Sequence, residues 1–177
     1  MNQPEVELED LGLIDYKQCW DYQTKLFDAS VKLKIKNRKF PKDRVSTKNH
    51  LIFCEHPHVY TLGKSGNYSN LLIDENQLKN KNASFYKINR GGDITYHGPG
   101  QIVGYPILDL ENFFTDIHKY LRFLEQTVIG TLDNFGIIGE RNHGKTGVWI
   151  DTNTPFPKKI CAMGVRASRS VSYTHLT

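Results

Sequence analysis

The chain has 177 residues, of which 38% are hydrophobic, 24% charged and 11% aromatic, and its formal net charge is +4. This length and composition are typical of one globular domain and exclude a disordered, collagen-like or coiled-coil architecture. No apolar run reaches the roughly 18 residues that a membrane-spanning helix needs, so no membrane partner is expected. The charge excess is too small to indicate a nucleic-acid partner.

The cysteine pattern predicts a protein of a reducing compartment. The chain holds three cysteines, Cys19, Cys54 and Cys161. An odd number without a close pair encodes neither a disulfide framework nor a zinc ribbon. His56 and His58 lie near Cys54, but no second His/Cys pair completes four ligands, so no metal site is expected. The acidic N-terminal residues contain no signal-peptide core, and we expect a cytoplasmic protein.

Apolar spacing predicts the elements of the first half of the chain. Residues at three- and four-residue steps indicate a helix from Ile14 to Asn37. The basic stretch from Lys32 to Lys48 contains Pro41, and we interpret it as the end of that helix and a mobile surface loop, or alternatively as a docking patch for an acidic partner. Further predicted elements are strands over 51–55 and 58–62, a short helix over 74–80 and a strand over 84–89.

The second half of the chain is predicted to contain one helix and four strands. An apolar strand over 102–110 precedes a helix that Thr115 caps and Gly136 ends in a left-handed conformation. The other strands are predicted over 136–140, 146–151 and 159–165. Because strands follow one another more often than they alternate with helices, we predict an α+β fold, with a mixed, largely antiparallel sheet flanked by helices.

The segment Arg90–Gln101 (RGGDITYHGPGQ) differs from the rest of the chain in holding four glycines and one proline in twelve residues. Glycines at this density allow a backbone to approach a ligand closely and to adopt positive φ. Between two predicted strands, such a loop lines a cleft with N–H groups and a few polar side chains. Composition alone leaves open both a binding loop and a structural hairpin.

Two other patterns have a weaker chemical interpretation. Gly63-Lys64-Ser65 resembles part of a phosphate-binding loop, but His58 occupies the position of that loop's first glycine, so nucleotide binding is not predicted. Cys161 lies two residues from Lys159, and a nearby cation lowers the pKa of a thiol. Because its strand is otherwise apolar, a buried small hydrophobic residue is the better interpretation of Cys161.

The glycine-rich loop and three other segments resemble one enzyme family. Arg90-Gly-Gly-x-x-Thr-Tyr-His-x-x-Gly-Gln101-x-Val103-x-Tyr105 is similar, position by position, to the signature of the lipoyl(octanoyl) transferases. The other similar segments are EHPHVYTLG (55–63), GVWI (147–150) and KICAMGVR (159–166). The resemblance implies the fold of the biotin and lipoate protein ligase catalytic domains, with a single catalytic domain over 1–177.

The resemblance also implies an activity and its partners. The family transfers an octanoyl group from octanoyl-acyl carrier protein to a lysine of lipoyl-dependent enzymes. The implied acceptors are the lipoyl domains of 2-oxoacid dehydrogenases and the glycine cleavage H protein. A cysteine thiolate carries the acyl group between donor and acceptor. No cofactor, ATP or metal is implied, because the donor is already a thioester.

The site residues follow from the same resemblance. Lys159 matches the lysine that lowers the pKa of the nucleophilic cysteine. The residues that match the family's substrate contacts are Arg90, Gly91, Gly92, Asp93, Ile94, Thr95, Tyr96, His97, Ala162, Met163 and Gly164.

The match to the family fades after Arg169. The family continues there with a His-Gly segment and, further on, with a Pro-Cys-Gly that supplies the nucleophile. Thr174 occupies the place of that histidine, and none of the three cysteines aligns with the nucleophile. We therefore expect a chain that is incomplete at its C-terminus, in which residues 171–177 are non-native, and that is inactive by itself.

Two alternative functions remain at this point. One is an ATP-dependent lipoate-protein ligase of the same fold, although the run Gly98-Pro-Gly-Gln101 favours the transferase. The other is a non-catalytic protein that binds carrier proteins, lipoyl domains or polyanions through the basic stretch from Lys32 to Lys48.

Overall fold

The computed structural model describes residues 4–177. In this range the strands are β1 (Glu7–Leu13), β2 (His50–Glu55), β3 (Val59–Leu62), β4 (Ser84–Lys87), β5 (Ile94–His97), β6 (Val103–Asp109), β7 (Glu140–Asn142), β8 (Lys145–Ile150), β9 (Lys158–Cys161), β10 (Met163–Ser168) and β11 (Val171–Leu176). The α-helices are α1 (Tyr16–Lys39), α2 (Glu75–Asn80) and α3 (Ile117–Asp133), and short 3₁₀ helices span Pro41–Asp43, Tyr68–Asn70 and Leu110–Asn112. No helix of residues 4–177 combines the length and apolar character needed to cross a membrane.

The strands of the described residues divide among three sheets. The largest has the order β1-β2-β6-β11-β10, and its pairs are antiparallel except for β1 with β2. The second has the order β4-β3-β5, and the third has the order β7-β8-β9. The predicted α+β class with mostly antiparallel pairing is confirmed, and the strands are distributed over three sheets. The predicted strands over 51–55 and 58–62 follow one another closely in the chain. In the structure they are β2 and β3, and they belong to different sheets.

Helix α1 covers the large sheet, and its ends differ from the predicted ones by two residues. The Asp15 side chain accepts a hydrogen bond from the Gln18 N–H at 3.0 Å and so caps the first turn. Basic residues in the last turn suit the negative end of the helix dipole. The buried face carries Cys19 and Phe27, which pack against Ile52 of β2 and the apolar residues of β6.

Helix α3 begins at a different cap from the predicted one. Asp116, and not Thr115, accepts the hydrogen bond from the Lys119 N–H, at 3.0 Å. A carboxylate suits this position better than a hydroxyl does because it also interacts with the positive end of the helix dipole. At the other end, Gly136 has φ +69°, as predicted.

Three strands, β1, β5 and β11, escaped prediction, one was misplaced, and the strand predicted over 159–165 is divided into β9 and β10. β1 lies in the acidic N-terminal segment. It is an edge strand with mostly exposed residues, so its sequence lacks the alternation of apolar and polar residues that predicts a strand. β5 lies inside the segment interpreted as a continuous loop. The strand predicted over 136–140 begins at Glu140, because the preceding residues close the end of α3 through a bond from the Ile137 N–H to the Leu132 carbonyl.

Residues 171–177, which we expected to be non-native, form β11 and the residue after it. This strand lies between β6 and β10, and Val171 is fully buried. Strand pairing is made by main-chain groups, which every residue except proline possesses. The pairing is therefore compatible with many sequences, and the non-native origin of residues 171–177 stays a prediction.

The basic stretch from Lys32 to Lys48 is more ordered than a mobile loop. Lys34 is buried and forms ion pairs with Asp109 and, at 3.0 Å, with Glu111. The Asn37 side chain donates to the Val45 carbonyl at 2.7 Å and accepts from its N–H at 3.0 Å. These contacts fix the stretch against the end of β6.

We expect Asp109→Ala to lower the free energy of unfolding by about 3–5 kcal/mol, because it leaves the Lys34 ammonium buried with only part of its charge compensated. Urea denaturation at neutral pH measures this loss. The matched control is Asp21→Ala, which removes an exposed pair with Lys17 (2.5 Å) and should cost less than about 1 kcal/mol. Equal losses of unfolding free energy in the two variants would contradict the assignment of Lys34 and Asp109 as a buried ion pair that stabilises the fold.

Candidate active site

The turn Gly63-Lys64-Ser65 after β3 supports the glycine-rich loop. A Cβ added at Gly63 would lie 2.2 Å from the Gly92 carbonyl oxygen, so only glycine allows this approach. The Lys64 N–H donates to the Arg90 carbonyl at 3.0 Å, and the Ser65 hydroxyl donates to the Gly92 carbonyl at 2.9 Å. The tripeptide that resembles a phosphate-binding fragment is thus a backbone support for the loop.

Arg90 places a fixed positive charge beneath this loop. One terminal nitrogen donates to the Thr61 carbonyl at 3.0 Å and to its hydroxyl at 2.9 Å, and the other donates to the Gly91 carbonyl at 2.9 Å. Burial lowers the pKa of Arg90 from its ordinary value, yet an arginine in a protein stays protonated. Its Nε is buried and has no hydrogen-bond partner among residues 4–177. One donor of the guanidinium is therefore unused.

The predicted contact residues of β5 point to opposite faces of its sheet. Successive side chains of a strand alternate, so Thr95 and His97 share one face while Ile94 and Tyr96 share the other. Tyr96 is on the exposed side, where its hydroxyl lies 2.5 Å from Nδ1 of His58. The four side chains therefore cannot all contact one ligand.

His97 is a fully buried, neutral imidazole behind the loop. Its Nδ1 lies 2.8 Å from the Gln101 amide oxygen, and its ring stacks on Tyr16 with centroids 6.1 Å apart. Burial lowers the pKa of His97 to about 4, against the hydrogen bond to Gln101, which raises it. Its Nε2 has no partner among the described residues. The ring thus keeps one unused nitrogen in the core beside the candidate site.

One narrow cavity joins the loop to the second predicted contact segment. Arg90 and Gly164 line it together with aromatic side chains that include Tyr16 and Trp20. A Cβ on Gly164 would lie 4.0 Å from the Gly91 carbonyl oxygen, so the two segments meet here. The cavity measures about 30 Å³, roughly the volume of one water molecule. An eight-carbon chain can enter only if side chains at the rim move.

The remaining residues of the second segment lie beside the cavity. Ala162 exchanges two main-chain hydrogen bonds with Thr177, at 2.6 and 3.0 Å, and Met163 pairs with Leu176 in the large sheet. Among these three predicted contacts, only Gly164 lines the cavity. The segment changes sheet at Ala162, where β9 ends and β10 begins.

Lys159 lies on β9, outside the lining of this cavity. Its side chain is exposed, and Nζ lies 4.7 Å from the ring centroid of Trp149. Cys161 is buried, as predicted, and burial raises its pKa to about 11 although Lys159 opposes this shift. The structure therefore brings Arg90 and Gly164 together, but places no thiolate beside Lys159.

Sequence reasoning missed Glu125, a fully buried carboxylate. It binds β8, the strand that pairs with the strand of Lys159. It accepts hydrogen bonds from the Gly147 N–H at 3.0 Å and from Nε of Arg141 at 3.1 Å. The signal was present, since Glu125 lies four residues after Leu121 on the otherwise apolar face of α3. A charged residue on a buried stripe indicates a specific partner.

Sequence reasoning also missed the approach of Cys19 to Cys54. Their sulfur atoms lie 3.9 Å apart, and Nε2 of His56 lies 3.5 Å from the sulfur of Cys54. The two cysteines are 35 positions apart, on α1 and β2. Only the docking of α1 on the large sheet brings them together, and no short-range spacing could have predicted it.

We expect His97 to make the fold sensitive to acid. Its pKa is about 4 in the folded chain and about 6.5 when unfolded, so the unfolded state gains a proton first as the pH falls. Stability should fall by up to about 3 kcal/mol from this group between pH 6.5 and 4, at about 1.4 kcal/mol per pKa unit. Urea unfolding over a pH series measures the slope of the free energy of unfolding against pH. His97→Gln should reduce this slope.

The control for this measurement is His118→Gln, because His118 is exposed. That variant should keep the full pH dependence of the unmodified chain. An unchanged slope in His97→Gln would contradict the burial of a neutral His97.

One family model and two curated relatives are similar to this chain over nearly its whole length. A sequence profile described as the lipoyl protein ligase A/B catalytic domain matches residues 15–177. The octanoyltransferase of Christiangramia forsetii is 67% identical over 168 residues, covering 95% of this chain and 71% of that protein. The octanoyltransferase of Bacteroides fragilis is 47% identical over 163 residues, covering 92% of this chain and 71% of that protein.

Solved structures show a similar fold. A bi-partite lipoate protein ligase from Thermoplasma acidophilum matches with a TM-score of 0.68 and 16% identity, covering 98% of this chain and 60% of that chain. Lipoate-protein ligase A bound with ATP matches with a TM-score of 0.61 and 14% identity, covering 99% of this chain and 66% of that chain. At these identities the similarity concerns the fold alone, and it confirms the predicted fold of the lipoate protein ligase type.

Proposed function

We infer the activity of this chain from its family, because the chain belongs to the lipoyl protein ligase A/B catalytic-domain family. It is an octanoyltransferase, an acyltransferase of protein lipoylation and lipoate biosynthesis. The observation that carries this conclusion is the identity of 44–67% to curated octanoyltransferases over more than nine-tenths of the chain. Its acceptor is a lipoyl-domain protein.

The proposed reaction has a thioester donor and protein acceptors. The octanoyl group comes from the thioester of octanoyl-acyl carrier protein and goes to a lysine of a 2-oxoacid dehydrogenase lipoyl domain or of the glycine cleavage H protein. A thiolate attacks the thioester carbonyl and releases the carrier thiol. The lysine amine then attacks the acyl-enzyme and forms the amide. Two such acyl transfers are each easier than one direct transfer.

The cavity between the two glycine segments is the proposed acyl site. Arg90 and Gly164 line it directly, and the other matched residues of 91–97 and 162–163 are proposed to support these two positions. This proposal is supported by the cavity that Arg90 and Gly164 line and by the aromatic character of Tyr16 and Trp20. The aromatic part of this lining suits an eight-carbon chain, since each buried CH₂ contributes about 0.8 kcal/mol.

Lys159 is proposed to keep the nucleophilic thiol ionised. An ammonium close to a thiol stabilises the thiolate, and each unit by which the thiol pKa falls is worth about 1.4 kcal/mol. The contact of the Lys159 Nζ with the Trp149 ring, at 4.7 Å from the centroid, fixes the position of the side chain on β9.

The attacking thiol is proposed to be none of the three cysteines described above. Cys19 and Cys54 lie in the core beneath α1, and burial raises the pKa of Cys161 to about 11. A thiol with that pKa is protonated at neutral pH and is a poor nucleophile. We therefore expect no acyl-enzyme to form on this chain alone when it is incubated with octanoyl-acyl carrier protein.

The alternative functions are less well supported. An ATP-dependent ligase shares the fold, but the similarity to solved ligase structures is 14–16% in sequence, far below the similarity to octanoyltransferases. A purely non-catalytic binding protein does not account for that similarity either. The basic stretch from Lys32 to Lys48 remains a proposed docking surface for the acidic carrier protein.

The test is a chimera in which residues 15–170 of this chain replace the aligned residues of the Christiangramia forsetii octanoyltransferase. We expect ATP-independent transfer of octanoate from octanoyl-acyl carrier protein to a lipoyl domain, measured by the mass increase of the domain. Lys159→Met in the chimera should slow transfer about tenfold at pH 7, because a tenfold smaller thiolate fraction corresponds to one pKa unit. The loss should shrink above about pH 8.5, where a free thiol ionises unaided.

The control is Lys158→Met in the same chimera, because Lys158 is exposed and pairs with Asp151 at 2.9 Å. This variant should transfer at the rate of the parent chimera. A parent chimera that transfers no octanoate would contradict the function. A loss in Lys159→Met that does not change with pH would contradict the role of Lys159 alone.

A further inference from the structure

Three side chains with metal-binding atoms meet in the core, away from the proposed acyl cavity. Cys19 of α1, Cys54 of β2 and His56 just after β2 are all buried. One ligand atom of each lies within 4.8 Å of a ligand atom of the other two. This is the one group of three or more such residues among residues 4–177.

Two of the three separations between the ligand atoms match a tetrahedral zinc ion, and the third, between Cys19 and His56, is within 4.8 Å. Zn–S bonds are about 2.3 Å and Zn–N bonds about 2.0–2.1 Å, so tetrahedral angles place two sulfurs about 3.8 Å apart and a sulfur and nitrogen about 3.6 Å apart. The sulfurs of Cys19 and Cys54 are 3.9 Å apart, and Cys54 and Nε2 of His56 are 3.5 Å apart. These two separations need almost no adjustment.

The His56 ring is oriented as a ligand requires. Its Nδ1 lies 2.8 Å from the carbonyl oxygen of Ile14. A carbonyl only accepts hydrogen bonds, so Nδ1 carries the proton and Nε2 keeps the electron pair that a metal would use, which here accepts from the Tyr105 hydroxyl at 2.9 Å. Metal-binding histidines almost always have this arrangement, which fixes both the tautomer and the ring orientation.

A second group supports one of the sulfurs. The side-chain nitrogen of Gln23, one turn after Cys19 on α1, donates a hydrogen bond to the Cys19 sulfur at 2.8 Å. A donor aimed at a buried sulfur stabilises its thiolate form, which is the form that binds metals. The cluster therefore has outer partners on both the histidine and a cysteine.

We propose that Cys19, Cys54 and His56 bind one Zn²⁺ ion, with the hydroxyl oxygen of Tyr105 in the fourth position. That hydroxyl lies 2.9 Å from Nε2 of His56. Binding displaces one proton from each thiol, and two thiolates neutralise the divalent ion in the low-dielectric core. Four protein ligands leave no open position, so the ion is structural and not catalytic.

The ion would connect parts of the chain that build the acyl site. It joins α1 to β2, and α1 also carries Tyr16 and Trp20 of the cavity wall. The ring centroid of His56, in the cluster, lies 6.1 Å from that of His97, in the glycine-rich segment. Zinc should therefore stabilise the wall of the cavity without touching the substrate.

The test uses Co²⁺ as a probe on the purified chain, reduced and kept free of oxygen. We expect one equivalent of Co²⁺ to produce a thiolate-to-cobalt charge-transfer band and the strong visible bands of a tetrahedral ion, and Zn²⁺ to displace them. Cys19→Ser and Cys54→Ser should each weaken zinc binding by more than the roughly 10–100-fold that loss of an outer partner costs. Gln23→Leu should weaken it within that range.

The matched control is Cys161→Ser, because Cys161 is also buried but lies outside the cluster. It should bind Co²⁺ with the same spectrum and be stabilised by Zn²⁺ against heat like the unmodified chain. Circular dichroism without metal shows whether each variant folds, and the spectrum of the unmodified chain tests the proposal without any variant. A reduced chain that takes up no Co²⁺, a spectrum without the charge-transfer band, or a loss of binding in Cys161→Ser would overturn the proposal.

Discussion

The site depends on main-chain segments that pack without side chains between them. Gly63 lies against Gly92 at a distance that no Cβ permits, and Gly164 faces the carbonyl of Gly91. The loop that begins at Arg90 is therefore held between β3 of one small sheet and β10 of the large sheet. This contact decides where the guanidinium lies and how wide the cavity can be, and it gives the glycines of the loop a structural purpose besides ligand approach.

Local signals in the sequence predicted much of the fold. The apolar stripe of α1, the glycine with positive φ after α3 and the apolar run of β6 follow from short-range periodicity and capping. The glycine-rich loop was recognised as the candidate site from its density of glycines and from its resemblance to a family signature. The partition of strands among three sheets was beyond such signals, because pairing partners such as β1 with β2 are separated by the whole of α1.

The polar core was the part least accessible from the sequence. Glu125 and Lys34 are buried because partners distant in the chain compensate their charges. His97 stays neutral because its surroundings exclude water, and periodicity cannot report that. The meeting of Cys19 with Cys54 likewise appears only once a helix docks on a sheet. In each case the residue type was visible in the sequence, and the partner was not.

The proposed acyl site places the octanoyl chain between the two glycine segments. Calorimetric titration with pantetheine thioesters of decreasing acyl length measures this contact. Affinity should fall about fourfold for each CH₂ removed from octanoyl. Gly63→Ala, which displaces Gly92, should weaken octanoyl binding, while Gly130→Ala, with nothing within 4 Å of the new Cβ, should not. Affinity that is independent of chain length, or unchanged by Gly63→Ala, would contradict this placement.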